Sequence, residues 1–449
     1  MDDPVPPQST ADAGGALFPY LVLATIVGVA TGTIGSLFHL ALNTLQQWPM
    51  LLRWQLEGPL LVLTAALITM IATVTAVALV RHVAPEAGGS GVQEVEGAMA
   101  GLRHVHGARV LPVKFFGGIA AIGGGLVLGR EGPTIHIGAS VASMLIKRFR
   151  LGATARSGLL ASGAAAGLAC AFNAPVAGVL FVIEETRRQF PYRFDTYMAV
   201  ILASLLATVM TQLIGGRGPD LSMSAAEMPL SSLPLFVLLG CLLGGIGVLL
   251  NAGILRGLAL AGAVGKRVPY LYPAAVGLAV GALLALLPDA VTGGEGLIPG
   301  WVRANPGTSA LLILSAIRFC TTIASYSVGA PGGIFAPILS LAACVGLAFS
   351  GVVHMIVPAG AAGSGAFAIA AMGGLFTASV RSPMVGVVLT LELTGAYAVT
   401  LPLVATCLAA SLVAGALGGS PIYEQLLDRT LRLAGATPPR RAQPPPGAL

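Results

Sequence analysis

The sequence predicts an all-α polytopic membrane protein made of two duplicated halves, an inverted repeat whose broken helices meet at a central site. Three observations predict it: a near absence of charge, long apolar runs broken by Gly and Pro, and motifs that recur at one spacing. Of 449 residues only 42 are charged (24 Lys+Arg, 18 Asp+Glu), 9% of the chain, against 55% hydrophobic. A soluble globule covers its surface with about a quarter charged residues, so this chain belongs in lipid. The 60 Gly and 30 Pro would mark low complexity in a polar chain, and the apolar majority excludes that. The net charge of +6 does not point to nucleic acid. Its clusters, at 147–156, 187–193 and 429–441, adjoin apolar runs and read as cytoplasmic loops or contacts with lipid headgroups.

The elements follow in order. Residues 1–15, acidic and Pro-rich, read as a disordered tail without the basic region of a signal peptide. From 16 to 432 no polar linker intervenes, which gives one transmembrane domain, with repeat halves at about 16–220 and 228–432. Runs free of Asp, Glu, Lys and Arg cover 13–52, 58–80, 157–183, 196–216, 228–255, 268–288, 319–380 and 393–423. Each holds the roughly 20 apolar residues that a bilayer core requires. Two further runs, 115–129 and 132–146, have 15 residues each and flank Arg130-Glu131. They are too short to span, and broken helices at membrane depth are tolerated only where they face protein or a water-filled cavity. Residues 433–449 form a Pro-rich tail. The five cysteines match neither a disulfide scaffold nor a metal motif, and His104 and His106 read as part of a solvated loop. No cofactor, metal or enzymatic activity is expected, since the chain lacks a metal-ligand cluster and a nucleophile-base pair.

The second half repeats the first. Gly129 to Pro133 (GREGP) pairs with Gly333 to Pro337 (GIFAP) at an offset of 204, and GGSG at 88–91 pairs with GGEG at 293–296 at 205. AFNAPVAGVLFVIEET (171–186) aligns with SVRSPMVGVVLTLELT (379–394) at 208, matching Pro175 with Pro383 and Glu184 with Glu392. Glycines 28, 32 and 35, and 240, 244 and 247, have the small-xxx-small spacing of close helix packing.

Gly-rich loops that open helices present N–H groups no helical carbonyl uses, and the helix dipole makes such an end attractive to anions. Three are candidates: 89–93, 129–133 and 332–337. If they converge, N–H donors, the Ser90 hydroxyl and the Phe335 ring line a cavity that holds a small anion and lets it leave. Glu131 is anomalous there. Either it is a tethered substitute for the anion, which fills the site when ionised and swings away when protonated, or it is an N-terminal carboxylate paired with Arg130.

GSGVQEVEGA, LPVKFFGG, GREGPTIHIG, AFNAPVAGVLFVIEET, GGIFAP and the tyrosine of SPIYEQLL, in this order, resemble the signature stretches of the CLC family of chloride channels and chloride/proton exchangers. The resemblance covers about residues 16–432. It implies a central anion site formed by the Ser90 and Tyr423 hydroxyls and the backbone N–H groups of Ile334 and Phe335. It also implies an outer site at the backbone of Arg130 to Gly132 and around Ala336, which the Glu131 carboxylate occupies as gate. Glu185 matches the second glutamate through which exchangers pass protons, against the plainer reading of a helix-end carboxylate paired with Arg187 or Arg188. Glu184, Glu392, Glu94 and Glu96 read as structural, and Arg318 and Arg381 as boundary or snorkelling residues. Gln93 departs from the proline usual in the first motif. The implied function is exchange of chloride for protons, with a chloride channel on the same fold as the alternative. The implied setting is a homodimer in the lipid bilayer of a bacterial inner membrane, with no nucleic-acid partner.

Overall fold

The computed structural model describes residues 10–216, 221–223, 228–304, 306–356 and 363–436, with side chains from Leu17 onward. Nineteen α-helices occur among them. They are α1 (Thr10–Leu45), α2 (Trp48–Gln55), α3 (Gly58–His82), α4 (Val92–Met99), α5 (Gly107–Pro112), α6 (Gly118–Gly123), α7 (Glu131–Phe149), α8 (Ala153–Phe172), α9 (Pro175–Glu185) and α10 (Phe194–Gly215). The second half supplies α11 (Leu233–Arg267), α12 (Leu271–Leu286), α13 (Ile298–Ala304), α14 (Thr308–Ser327), α15 (Phe335–Ile356), α16 (Ser364–Val380), α17 (Pro383–Thr394), α18 (Thr400–Ala416) and α19 (Ile422–Leu433). Eight described segments are long and apolar enough to cross a membrane. The uncharged run 319–380 is not one element, because it divides among α14, α15 and α16. α1 already begins at Thr10, inside the stretch expected as a tail. Residues 1–9 of that tail and 437–449 of the C-terminal one lie outside the described residues.

The breaks have local causes. α8 and α16 each end in a left-handed residue, Asn173 (φ 52°) and Arg381 (φ 69°), and two positions later Pro175 and Pro383 open α9 and α17. A left-handed cap followed by a proline that cannot continue the helix is a strong stop signal. α7 and α15 start at Glu131 and Phe335 and carry Pro133 and Pro337 as their third residues, where a missing N–H costs no helical bond. That explains the repeated GxxxP spacing.

The halves match in packing as well as in sequence. Contacts of α7 with α8, α8 with α10 and α1 with α10 have counterparts in α15 with α16, α16 with α18 and α11 with α18. The glycine stripes sit in these contacts. Gly28 and Gly32 lie against the backbone of Ala203 and Ala207 on α10, and Gly240 and Gly244 against α18. Two pairs of counterparts also pack on one another, α3 on α12 and α9 on α17, so the pseudo-two-fold axis passes between them. Their direction is fixed by two carboxylates. Glu392, near the end of α17, accepts from the N–H groups of Val176 (3.1 Å) and Ala177 (2.7 Å) at the start of α9. Glu184, near the end of α9, accepts from Met384 (3.2 Å) and Val385 (2.9 Å) at the start of α17. Each helix therefore ends where the other begins, and the repeat is inverted. Both glutamates neutralise the positive end of a helix, in keeping with the structural role expected of them.

Arg318 does not snorkel. It is fully buried on α14, with its guanidinium donating to the carbonyls of Asp289, Val291 (3.1 Å), Thr292 (3.1 Å) and Gly293 (3.1 Å) and to Ser340 Oγ (2.8 Å). A buried cation persists only when its donors are satisfied, and here loop carbonyls satisfy them. Of the cysteines, Cys170, Cys344 and Cys407 are buried packing residues, whereas Cys320 is exposed on α14.

Candidate functional site

The three Gly-rich loops do converge, and the loop before α15 is bonded to both of the others. Gly89 donates to Ala330 O (3.1 Å) and accepts from Gly332 N (3.1 Å), which joins it to the loop around Ser90. Gly129 and Gly333, counterparts in the repeat, exchange reciprocal bonds, Gly129 N to Gly333 O at 2.9 Å and Gly333 N to Gly129 O at 2.7 Å. The pseudo-two-fold axis therefore runs through the loops that open α7 and α15. Backbone groups committed to these bridges hold the loops without regular secondary structure.

The Glu131 side chain lies between the loops. It is wholly buried, and its Oε1 accepts the Phe335 N–H at 2.7 Å, the first donor of α15 that has no helical partner. The space it fills is available only because of glycine. A Cβ on Gly333 would stand 2.0 Å from Oε1, and one on Gly129 2.1 Å from Oε2. The carboxylate thus reaches the Phe335 N–H, one of the donors expected at the central site, and lies against Gly129, which leads into the Arg130 to Gly132 backbone expected at the outer one. Glu131 is the first residue of α7, and the reciprocal bridge draws the first turns of α7 and α15 together.

Oε2 of Glu131, Oγ of Ser90 and the hydroxyl of Tyr423 are all buried and have no hydrogen-bond partner among the described residues. Buried polar atoms are nearly always partnered, so three orphaned oxygens around the same helix ends mark a place that receives a further ligand. Ser90 approaches α7 closely, since a Cβ on Gly132 would meet Ser90 Oγ at 2.7 Å. Tyr423 on α19 reaches Phe335, with ring centroids 6.0 Å apart. Phe335 also packs on Phe172, Phe181 and Phe376 at 6.4, 5.7 and 4.7 Å, and this aromatic shell fixes the start of α15. Ile334 and Ala336, its chain neighbours, are likewise buried.

Arg130 is nearly buried, with its side chain between His39 and Glu295. Its Nη1 lies 2.6 Å from His39 Nε2 of α1, and its Nε lies 3.6 Å from Glu295 Oε1. Glu185 stands at the end of α9, where its Oε2 accepts from Ser382 Oγ at 3.0 Å. The arginine pairing weighed for it goes elsewhere, with Arg188 meeting Glu424 at 4.0 Å.

Lys114 and Tyr326 escaped the sequence reading, and Glu96 was read there only as structural. Lys114 is fully buried and donates to the carbonyls of Gly89 (2.7 Å) and Ser90 (2.9 Å). It sets a positive charge under the Ser90 loop, and the only hint in the sequence was a lysine inside an apolar stretch. Glu96 is buried on α4 with an unpartnered Oε2 and lies within electrostatic reach of Glu185. It is less plainly structural than Glu94, which pairs with Arg103 at 2.9 Å. Tyr326 accepts from Ser90 N at 3.4 Å and closes the loop from its other side. Gln93 accepts from Gly91 N at 3.2 Å, so it supports the turn in which it replaces proline. Among the described residues no cluster of His, Cys, Asp and Glu suits a metal. His106 lies 3.2 Å from Glu86 on an exposed loop.

Residues 71–415 match the family model described as voltage gated chloride channel. A protein of Vibrio parahaemolyticus named H(+)/Cl(-) exchange transporter ClcA is 44% identical over 429 residues, which cover 93% of this chain and 91% of that one. One of the same name from Salmonella paratyphi B is 41% identical over 424 residues, covering 92% and 88%. Among solved structures, a slow cyanobacterial Cl-/H+ antiporter superposes with a TM-score of 0.88 at 36% identity, covering 92% of this chain and 98% of that one. A CLC-type fluoride/proton antiporter shares the fold at a TM-score of 0.75 and 19% identity, covering 91% and 97%.

Proposed function

The chain belongs to the voltage-gated chloride channel (CLC) family, and from that premise we propose that it carries chloride across a bacterial inner membrane in exchange for protons. One observation carries the reading: a wholly buried carboxylate, Glu131, sits on the Phe335 N–H among the helix ends and orphaned hydroxyls that suit an anion. A carboxylate there competes with the transported anion only while ionised. Protonation removes its charge, weakens its hold on the N–H donor and frees the place for chloride.

In the proposed cycle chloride enters past Ser90 and Tyr423 and is held by the N–H groups of Ile334 and Phe335. The backbone of Arg130 to Gly132 and the region of Ala336 form the next position outward. A proton passes inward or outward through Glu185, reaches Glu131, and alternates with chloride for the same space, so the two ions move in opposite directions. Lys114 offsets part of the anion's charge. Exchange is favoured over a channel by Glu185, whose carboxylate is turned to Ser382 and faces Glu96 with no arginine bonded to it among the described residues, and by the names of the curated relatives.

Arg193 lines a cavity with Pro19 and Tyr20 of α1 and with Leu151, and Leu151 also lines a second one with Arg103, Lys147, Arg150 and Arg156, so the end near Pro19 is basic. The positive-inside rule makes the basic end cytoplasmic. We assign a homodimer in the lipid bilayer on the ground of the family resemblance.

The test is proton movement in vesicles holding the purified protein, with an imposed chloride gradient and a weakly buffered exterior. Protons should be driven uphill by chloride. Glu131→Ala and Glu185→Gln should each abolish proton movement while chloride still passes. Chloride flux without proton movement in the wild type would make this a channel, and coupling that persists in both variants would remove these glutamates from the route.

A further inference from the structure

The GGEG stretch at 293–296 has no part in the cycle above, yet it overhangs the outer mouth of the site. A cavity of about 510 Å³ there is lined from Asn43 and Arg53 down to Leu128, Gly129 and Arg130, and stops one residue short of Glu131. Among the residues lining it Glu295 is the sole carboxylate, and Arg53 and Arg130 are the only cations.

Glu295 stands on a fixed platform. The preceding loop is clamped by buried Arg318 through the carbonyls of residues 289 and 291–293, and a Cβ on Gly294 would lie 1.8 Å from Arg318 Nη2. The Glu295 side chain is 23% exposed and that of Arg130 9%, so the carboxylate touches the cavity while its partner is nearly sealed. His39 from α1 braces Arg130 on its other side, 2.6 Å from Nη1. Nη1 also lies 2.8 Å from Nδ1 of the same ring, and because a guanidinium only donates, His39 receives it through whichever nitrogen carries no proton. Arg53 from α2 is engaged with the carbonyls of Leu284 and Ala285 at 3.0 Å each, and Asp289 accepts from Trp301 Nε1 at 3.2 Å. Glu131, the next residue in the chain after Arg130, comes up to the wall of the same cavity, because a Cβ on the lining residue Gly129 would stand 2.1 Å from its Oε2.

A carboxylate without solvent contact cannot trade protons with bulk water directly. It needs a positioned acceptor at the boundary. We propose that Glu295 is the outer proton-transfer group of this exchanger. When Glu131 swings toward the cavity, its O–H proton passes to the Glu295 carboxylate, directly or through one water, leaving Glu131 ionised and Glu295 neutral. Glu295 then releases the proton to the outer solution and re-forms its pair with Arg130, which stays protonated throughout and acts as a positioning residue. The reverse sequence loads Glu131 from outside.

The inference rests on the exchange reading, and the experiment separates the two. The full-length protein in vesicles is compared with Glu295→Gln and Glu295→Ala, following chloride and proton flux together. Both should fall in step, by about tenfold or more, as for loss of a general acid-base group. A small external buffer such as imidazole should restore the flux of Glu295→Ala and leave the wild type unchanged. In the Glu131→Ala background, where chloride passes without protons, adding Glu295→Ala should not alter chloride flux, which also shows that the variant folds. Undiminished flux in both single variants, failure of buffer rescue, or an equal loss of chloride flux in the Glu131→Ala background would each overturn the proposal. Absence of proton coupling in the wild type would overturn the exchange reading first, and this inference with it.

Discussion

The charged residues that matter here are those the membrane should have excluded. Lys114, Glu131 and Arg318 are fully buried, and a charge at that depth is costly unless it is partnered or does work. Arg318 is consumed by loop carbonyls, Lys114 by two carbonyls beside the anion place, and Glu131 by a single N–H with one oxygen left over. The gradation separates structure from function, because a group with an orphaned atom has a state still to adopt. Lys114→Met should weaken chloride binding about tenfold, on the order of 1.4 kcal/mol. It should also lower stability by about 2 kcal/mol, as two buried carbonyls lose their donor. Chloride titration calorimetry and thermal unfolding in detergent measure the two effects, and an unchanged chloride affinity would show that Lys114 only braces the loop. None of this could be read from Lys114 itself in the sequence, where it is one lysine in LPVKFFGG. By contrast Glu131, set between two runs of 15 uncharged residues, was conspicuous from its setting.

At the level of the element, the useful helices are the interrupted ones. α7 and α15 begin in the protein interior, and α8 and α16 stop at left-handed caps, so helix ends and their dipoles are delivered where a continuous span would present only side chains. The cost of unpaired ends is met reciprocally between α9 and α17, with Glu392 on two N–H groups of one and Glu184 on two of the other. Replacing Glu392 with Ala should lower stability by about 1–2 kcal/mol, the scale of a lost N-terminal cap. The ratio of chloride to protons transported should stay as in the wild type. Thermal unfolding together with the flux ratio tests this, and an altered ratio would move Glu392 from the scaffold into the transport route.

For the whole molecule, the inverted repeat places its axis through the Gly129–Gly333 bridge. Two loops of one chain thereby build a site that neither half holds alone. The groups proposed for the anion and proton route, among them Ser90, Glu131, Glu185, Phe335 and Tyr423, are drawn together by the two halves of one chain. We therefore expect each subunit of the proposed dimer to hold a pathway of its own. Vesicles reconstituted so dilutely that each holds one subunit should still exchange chloride for protons at the per-subunit rate of dense preparations. Loss of flux in such vesicles would mean that a neighbouring subunit shapes the site.

The sequence by itself determined the solvent, the duplication and the places where helices break. These follow from local chemistry: charge content, apolar length, and Pro and Gly at fixed offsets. It also singled out the glutamate between two short runs. What it left open was decided by approach between segments separated by anything from 25 residues, as for Arg318 and Gly293, to 204, as for Glu131 and Phe335. Only the fold shows that Glu131 reaches the Phe335 N–H, that Arg318 is spent inside the protein, and that Arg130 joins Glu295 and His39. Hydrogen-bond partners and burial are properties of pairs, and a linear pattern carries no term for a pair until packing has chosen which distant residues meet.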